Sequence, residues 1–387
     1  MKTLNNTVTQ FKESIFSTMT KLAIDHQAIN LSQGFPDFDG PKWVIDLAKN
    51  AMEQGYLENT VGKNQYAPSL GILPLREAIS NNYNRFYGLN YDPFSEIVVT
   101  NGATEAIFCT CMALLNPGDE VIVFEPFYDS YFASLQLAGA KIVPVTLKAP
   151  SFSFSDEELK LAVSSKTKMI ILNNPHNPTG KVFSPLEIKT ISELAIKFDF
   201  YILSDEVYEF LTYDVKHTPT ASFGELYDRT ITISSTGKTF GLTGWKIGWA
   251  LGPKEVIKAI HLVHQFTTFS VAHPLQVAMA QALNQMDNYL SEFKNEYRKK
   301  RDFLVSGLQA AGFTVLNPAG TYFVMAILNE DENDIEFCRK LILTKKVAAI
   351  PTSSFYLKSN EGDKMIRFCF AKKEETLRAA IAQLKMQ

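Results

Sequence analysis

The chain has 387 residues, 46% of them hydrophobic and 20% charged, the balance of a globular protein long enough for more than one domain. A net charge of −3 and an isoelectric point near 6.1 supply no basic field for nucleic acid or an anionic membrane surface. No run approaches the roughly 20 apolar residues that a membrane span needs, and the opening MKTLNNTVTQF lacks the apolar core of a signal peptide. Cys109, Cys111, Cys338 and Cys369 have no CxxC spacing and no histidine spacing that suggests zinc, so they read as small hydrophobes in a reducing, cytoplasmic setting.

From about residue 97 to 252, short apolar runs alternate with helical periodicity. Ile97 to Val99 reads as a strand and Thr104 to Leu115 as a helix; Val121 to Phe124 is a strand and Tyr128 to Leu137 a helix. Ile142 to Val145 is a strand whose Pro144 marks an edge. Met169 to Leu172 follows, then a helix over Pro185 to Phe198 with Ser184 as its N-cap. Phe200 to Leu203, Thr230 to Ile233 and Ile247 to Leu251 complete the series. Such alternation predicts an α/β domain with a mostly parallel sheet covered on both faces. Beyond residue 275 the character changes. Charged helices such as Tyr289 to Leu308 precede strand-like Tyr322 to Ile327, Val347 to Ile350 and Met365 to Phe370, which predicts a smaller α+β domain.

The polar motifs sit just after the apolar runs. Gly102-Ala103-Thr104 follows one, Asn173 to Gly180 (NNPHNPTG) a second, Asp205 (SDEVYE) a third, and Ser235 to Lys238 (SSTGKTF) a fourth. That places them at the carboxyl edge of the sheet, where ligands of open α/β folds bind. Gly237-Lys238-Thr239 is not the end of a Walker phosphate loop, because Thr232 stands where that loop needs its first glycine. Gly102-Ala103-Thr104 opening a helix offers free N–H groups to an anion. Arg367, inside the apolar run MIRFCF, is a charge whose burial demands a partner. A loop lysine, an acid and several anion ligands are what pyridoxal phosphate chemistry asks of a protein.

The order GATEA, EPFYDSY, NPHNPTG, SDEVYE, SSTGKTF, GWKIGWALGP and IRFCF resembles the class I, fold-type-I, pyridoxal-phosphate-dependent aminotransferases from about Asn30 to the C-terminus. NLSQGFPDFDGP, HQFTTFSVAHP and AAIPTSSFY resemble the kynurenine aminotransferase branch and, within it, the bacterial methionine aminotransferases that also accept aromatic amino acids. The resemblance implies a large cofactor-binding domain over 45–275 and a smaller domain over 276–387 joined by the segment 1–44. It implies that Lys238 holds the cofactor covalently and later moves the Cα proton, and that Asp205 partners the pyridine nitrogen. Tyr208 and Asn177 match the residues that hydrogen-bond the ring oxygen, and Tyr128 the aromatic stacked on the ring. Gly102, Ala103, Thr104, Ser235 and Lys246 match phosphate ligands. Many relatives carry Arg at the place of Lys246, a departure the kynurenine branch tolerates. Arg367 matches the clamp on the substrate α-carboxylate, and Gly34 the segment that closes over substrate. Tyr66, Phe269 and Ser270 match positions given to the active site of the other subunit of a homodimer.

Dicarboxylate-specific relatives use a second arginine contributed across the dimer. The stretch His264 to Ser270 contains none, which favours a neutral apolar or aromatic amino donor and a 2-oxo acid acceptor. The same residues would also serve a cysteine-conjugate β-lyase. A pyridoxal-phosphate-sensing transcription regulator needs a DNA-binding module, and only about 30 residues precede NLSQGFPDF. Neither a metal nor a nucleic-acid partner is expected.

Overall fold

A computed structural model describes residues 2–11, 13–57, 63–329 and 333–386. After a short strand β1 (Ile29–Asn30) come the strands of the central sheet: β2 (Ile97–Asn101), β3 (Glu120–Glu125), β4 (Lys141–Thr146), β5 (Thr167–Asn173), β6 (Tyr201–Asp205), β7 (Thr230–Ser235) and β8 (Ile247–Leu251). Their order across the sheet is β2-β8-β7-β6-β5-β3-β4. All neighbours are parallel except β8, which runs antiparallel to both β2 and β7. The predicted edge strand, with Pro144, is at the edge.

Period-two alternation explains why both faces are buried. Val121 and Val123 of β3, with Met169 and Ile171 of β5, enter one core beside Ala106 and Ile107 of the helix Gly102–Leu114. The intervening Ile122 and Phe124, with Ile170 and Leu172, enter the opposite core beside Ile188 and Ile191 of the helix Pro185–Phe198. That helix begins where the sequence predicts, because Ser184 and Glu187 form a reciprocal capping box.

The remaining strands are β9 (Thr314–Leu316), β10 (Phe323–Ile327), β11 (Val347–Ala348), β12 (Ile350–Pro351) and β13 (Met365–Cys369). A four-stranded antiparallel sheet has the order β12-β13-β10-β9. The run expected to be one strand over Val347 to Ile350 is broken at Ala349. Its first half pairs parallel with β1, and its second half joins the antiparallel sheet. Because β1 pairs with β11, the N-terminal segment lies against the C-terminal region. The helix His273–Asn284 packs on the helices Lys42–Leu57 and Leu73–Tyr87. Among the described residues, no helix is long and apolar enough to cross a membrane.

One buried carboxylate ties the large sheet to the segment before β13. Glu125, at the end of β3, accepts hydrogen bonds from the Leu357, Lys358 and Ser359 backbone N–H groups and from Thr146 Oγ1, at 2.7–3.0 Å. Glu125→Ala strands three amide donors near the end of the sheet. Urea unfolding should show a loss of about 3 kcal/mol, given about 1–3 kcal/mol for each unsatisfied buried group and partial rescue by water. A loss under about 1 kcal/mol would mean that the loop is held by other contacts.

Candidate active site

Every parallel strand that carries a predicted site residue ends at one edge of the sheet. Gly102, Ala103 and Thr104 follow β2, Tyr128 follows β3, Asn177 follows β5, Asp205 closes β6, and Ser235 closes β7. Since β8 runs the other way, its start lies at this edge, which brings Lys246 there immediately before Ile247. These residues, with Gly34, Tyr208, Lys238 and Arg367, line one cavity of about 310 Å³. Lys238 lies in a single helical turn, Thr236–Thr239, rather than in the loop expected from its small neighbours. The turn fixes its side chain relative to β7.

Glycines allow the anion corner to form. Gly102 has φ +76°, and a Cβ there would lie 3.1 Å from Lys246 Nζ. Gly248 faces the start of the same helix, and a Cβ there would be 2.5 Å from the Gly102 carbonyl carbon and 2.6 Å from the Ala103 nitrogen. Lys246 itself adopts a left-handed conformation, φ 54° and ψ 43°, which costs on the order of 1 kcal/mol for a residue with a Cβ. It directs its ammonium at Gly102. Among the described residues no ion pair neutralises Lys246 and the Ser235 hydroxyl makes no side-chain hydrogen bond, while the Thr104 hydroxyl meets that of Tyr128. Two hydroxyls, an ammonium and a helix N-terminus converging on one corner are a phosphate donor set.

In the middle of the cavity, Asp205 is buried. One of its oxygens accepts a 2.5 Å hydrogen bond from Tyr131 Oη, and the other accepts from the Val207 N–H. Burial pushes its carboxyl up to about 6, with the Tyr131 hydrogen bond opposing that shift. Among the described residues no cation forms an ion pair with it, and the nearby Lys238 only partly offsets the burial; a protonated pyridine nitrogen would supply that cation. Lys238 is half-buried, with no carboxylate within ion-pair distance among the described residues, and desolvation pulls its amine down to about 8 against the opposing charge of Asp205. Its Nζ donates to Tyr322 Oη at 2.9 Å and lies 3.5 Å from the Gly34 carbonyl oxygen. The donor set thus suits pyridoxal phosphate at each end: anion ligands at one corner, an acid needing a cation at the centre, and an amine of lowered basicity between them.

Arg367 crosses the cavity from β13 and is 1% exposed. Nη1 donates to Asn177 Oδ1 at 2.8 Å and Nη2 to the Ser32 carbonyl at 3.1 Å, while Nε has no partner. Its guanidinium carbon is 3.9 Å from the Phe323 ring centroid. Among the described residues no carboxylate pairs with it, although a buried guanidinium strongly favours one. An unsatisfied buried cation of this kind suits a small carboxylate. Asn177 is bound to Asn173 through its backbone, and Asn173 in turn donates to the Asp205 carbonyl, so Arg367 and Asp205 share one hydrogen-bonded frame.

Sequence reasoning missed Tyr131, Asn173, Tyr322, Phe323, Phe16 and Gln33, of which all but Tyr322 line the cavity. Tyr131 stands three positions after Tyr128, one helical turn away, a usable signal once Tyr128 is placed. Tyr66, Phe269 and Ser270 are not among the lining residues. Tyr66 is 83% exposed, and its ring meets that of Phe269 edge to face at 5.4 Å.

A family model described as "Aminotransferase class I and II" matches residues 26–384. A probable N-succinyldiaminopimelate aminotransferase of Mycobacterium tuberculosis is 40% identical over 97% of this chain and 96% of its own length. The methionine aminotransferase of Escherichia coli strain K12 is 39% identical over the same shares. The solved structure of Escherichia coli YbdL, described with a methionine aminotransferase function, superposes with a TM-score of 0.94 at 38% identity, covering all of both chains.

Asp205 carries a testable sign. Its carboxyl titrates higher in the folded protein than its ordinary value near 3.9. The native state therefore binds the proton more tightly, and the group destabilises the cofactor-free fold above about pH 6 and ceases to do so toward pH 4. A shift of roughly two units corresponds to about 3 kcal/mol. Cofactor-free Asp205→Asn should melt above the parent at pH 8, with the gap closing as pH falls to 4. A parent that melts higher at pH 8 would refute the assignment.

Proposed function

The chain belongs to the class I and II aminotransferases, and from that premise we propose that it moves the α-amino group of a neutral apolar or aromatic amino acid, of methionine, phenylalanine, tyrosine or kynurenine type, onto a 2-oxo acid. Transaminase chemistry and pyridoxal 5'-phosphate come with the family. The donor class rests on the charge of the cavity. Among the described residues Arg367 is the one arginine in its lining, so an α-carboxylate has a guanidinium and a second carboxylate has none. The relatives named for methionine and for kynurenine, including the human kynurenine–oxoglutarate transaminase 3 at 39% identity, support the same class. The Mycobacterium relative is named for a substrate with more than one carboxylate, for which this lining offers no second arginine.

When bound, pyridoxal phosphate supplies the aldehyde that accepts the amino group and the ring that draws electrons from Cα. The chain supplies the rest. Thr104, Ser235, Lys246 and the N–H groups of Gly102 and Ala103 would hold the phosphate. Asp205, oriented by Tyr131, would supply negative charge for the ring nitrogen. Tyr128 would cover the ring, and Tyr208 and Asn177 would donate hydrogen bonds to its oxygen. Arg367 holds the substrate carboxylate and so fixes which bond of Cα stands toward Lys238. The Lys238 amine takes the proton from Cα and returns it; with its basicity lowered to about 8, much of it is neutral near that pH and able to do so. Gly34 closes the site over the substrate. A Cβ there would meet Phe323 at 2.8 Å, which supports a need for glycine.

We assign residues 45–275 to the cofactor-binding domain, and 1–44 with 276–387 to the smaller one, a division supported by the pairing of β1 with β11. We also assign a C2 homodimer in which Tyr66, Phe269 and Ser270 complete the partner's site. Tyr66 and Phe269, in ring contact, and Phe266 and Leu262 nearby in sequence are exposed apolar side chains that an isologous partner would cover.

Two experiments test these readings. In a panel of amino donors, methionine and phenylalanine should exceed aspartate in kcat/KM by ten- to a hundred-fold, the worth of about 1.5–3 kcal/mol for an unpaired charge-assisted bond. Arg367→Leu should lower every donor, since all share the α-carboxylate. Aspartate as the best donor would overturn the assignment. Co-expressed Tyr66→Phe and Lys238→Ala chains should give heterodimers with one intact site and activity above the sum of the two parents. Purely additive activity together with a monomer in sedimentation would rule out the shared site.

A further inference from the structure

Tyr322 belongs to no motif that led to the site, and it contacts the most important amine in it. Its side chain is fully buried, held edge to face on Tyr208 at 5.2 Å and on Phe323 at 4.8 Å. Its backbone carbonyl accepts from the Phe370 N–H, three residues beyond Arg367. The hydroxyl therefore has a fixed position. It lies 2.5 Å from the Gly34 carbonyl oxygen and 2.9 Å from Lys238 Nζ.

The direction of these bonds follows from chemistry. A carbonyl oxygen has no proton, so the Tyr322 hydroxyl donates to Gly34 and offers its lone pairs to the amine. Burial holds the phenol well above its ordinary range, so it stays protonated and the direction persists. The amine then donates one hydrogen to Tyr322 Oη and turns a second toward the Gly34 carbonyl at 3.5 Å. Two of its three non-carbon positions are anchored on the same side. The third, a lone pair in the neutral amine or a proton in the ammonium, is left to point away from that pair of oxygens.

The acceptors are themselves anchored. Segment 32–35 is held by Arg367 Nη2 on the Ser32 carbonyl and by Lys372 Nζ on the Phe35 carbonyl at 2.8 Å. The cradle for the amine and the guanidinium for the substrate are thus braced by the same few residues.

We propose that Tyr322 is a positioning residue that, with the Gly34 carbonyl, docks the Lys238 amine whenever it is not bound to the cofactor and fixes the direction in which it takes and delivers the Cα proton. This rests on the reading of Lys238 as the proton carrier. The dock is formed within one chain and does not need the partner subunit.

The test is Tyr322→Phe, which keeps the ring and its packing and removes the hydroxyl. In stopped-flow single turnovers of the holoenzyme with methionine, the proton-transfer step should slow by roughly ten- to a hundred-fold. The α-deuterium isotope effect should be retained or larger, and the dissociation constant of the donor should change less than about three-fold. In a Lys238→Ala background the same substitution should leave the residual rate unchanged within two-fold. Equal losses in both backgrounds would mark a structural role and overturn the proposal, as would no loss in the parent. Failure of the underlying reading looks different, because Lys238→Ala alone would then retain the parent's rate. A second readout needs no turnover. In cofactor-free protein, acetic anhydride should label Lys238 several-fold faster, relative to a surface lysine, in Tyr322→Phe than in the parent. If Tyr322→Phe does not fold, a crystal structure of the unsubstituted enzyme with pyridoxamine phosphate decides. Lys238 Nζ within about 3.2 Å of Tyr322 Oη supports the dock, and an amine elsewhere in the cavity overturns it.

Discussion

Two ionisable groups, Asp205 and Arg367, are buried in one cavity with the half-buried Lys238 beside them, and among the described residues none of the three forms an ion pair with an oppositely charged side chain. Much of the architecture answers that constraint. Burial of an unpaired charge is unfavourable by several kcal/mol, and the fold meets the cost with hydrogen bonds rather than with counter-charges. Tyr131 serves Asp205, Tyr322 serves Lys238, and Asn177 with Ser32 serves Arg367. Neutral partners leave each charge available. A carboxylate beside Arg367 would occupy the guanidinium, and one beside Lys238 would favour the protonated amine. The Phe323 ring under Arg367 softens the burial of the guanidinium in the same way, without an anion.

The sheet topology makes this possible. Parallel strands end at one edge, which collects polar residues from five separate stretches of sequence. The antiparallel β8 then adds its first residues to that edge instead of its last. A parallel strand in that place would have carried Lys246 to the opposite side of the sheet. The reversal also sets Gly248 against Gly102, so the anion corner depends on two glycines facing each other across neighbouring elements.

How much of this was legible depended on whether a feature leaves a local pattern. The parallel strands did, because burial on both faces produces runs such as Val121 to Phe124 and Met169 to Leu172. The capped helix from Pro185 did, because Ser184 and Glu187 satisfy each other within four residues. Arg367 stood out as a charge in an apolar run. The break at Ala349 did not show, since two short apolar strands in different sheets read as one. Tyr322 did not show either, and Tyr131 showed only through its spacing from Tyr128: a tyrosine that buries its hydroxyl on a charged group has the same local signature as one that fills a core. Lys238 follows β7 as expected but lies in a one-turn helix rather than a loop, because small residues around a lysine suit either equally well.

The division of labour between the two parts of the chain follows from these contacts. Residues that suit the phosphate and the ring, from Gly102 to Lys246, are attached to the seven-stranded sheet. Gly34, Tyr322 and Arg367, which address the substrate and the amine, come from outside it. Asn177 joins the two sets, with its backbone tied to Asn173 at the sheet edge and its side chain on Arg367. Glu125 makes a second tie some way along the same edge, to the segment leading into β13. Both ties are hydrogen bonds from the ends of strands, the stiffest part of the sheet, to backbone or guanidinium donors. Arg367 and Asp205 are therefore held by one connected group of side chains, so an anion that satisfied the guanidinium would act on the frame that also holds the buried carboxyl.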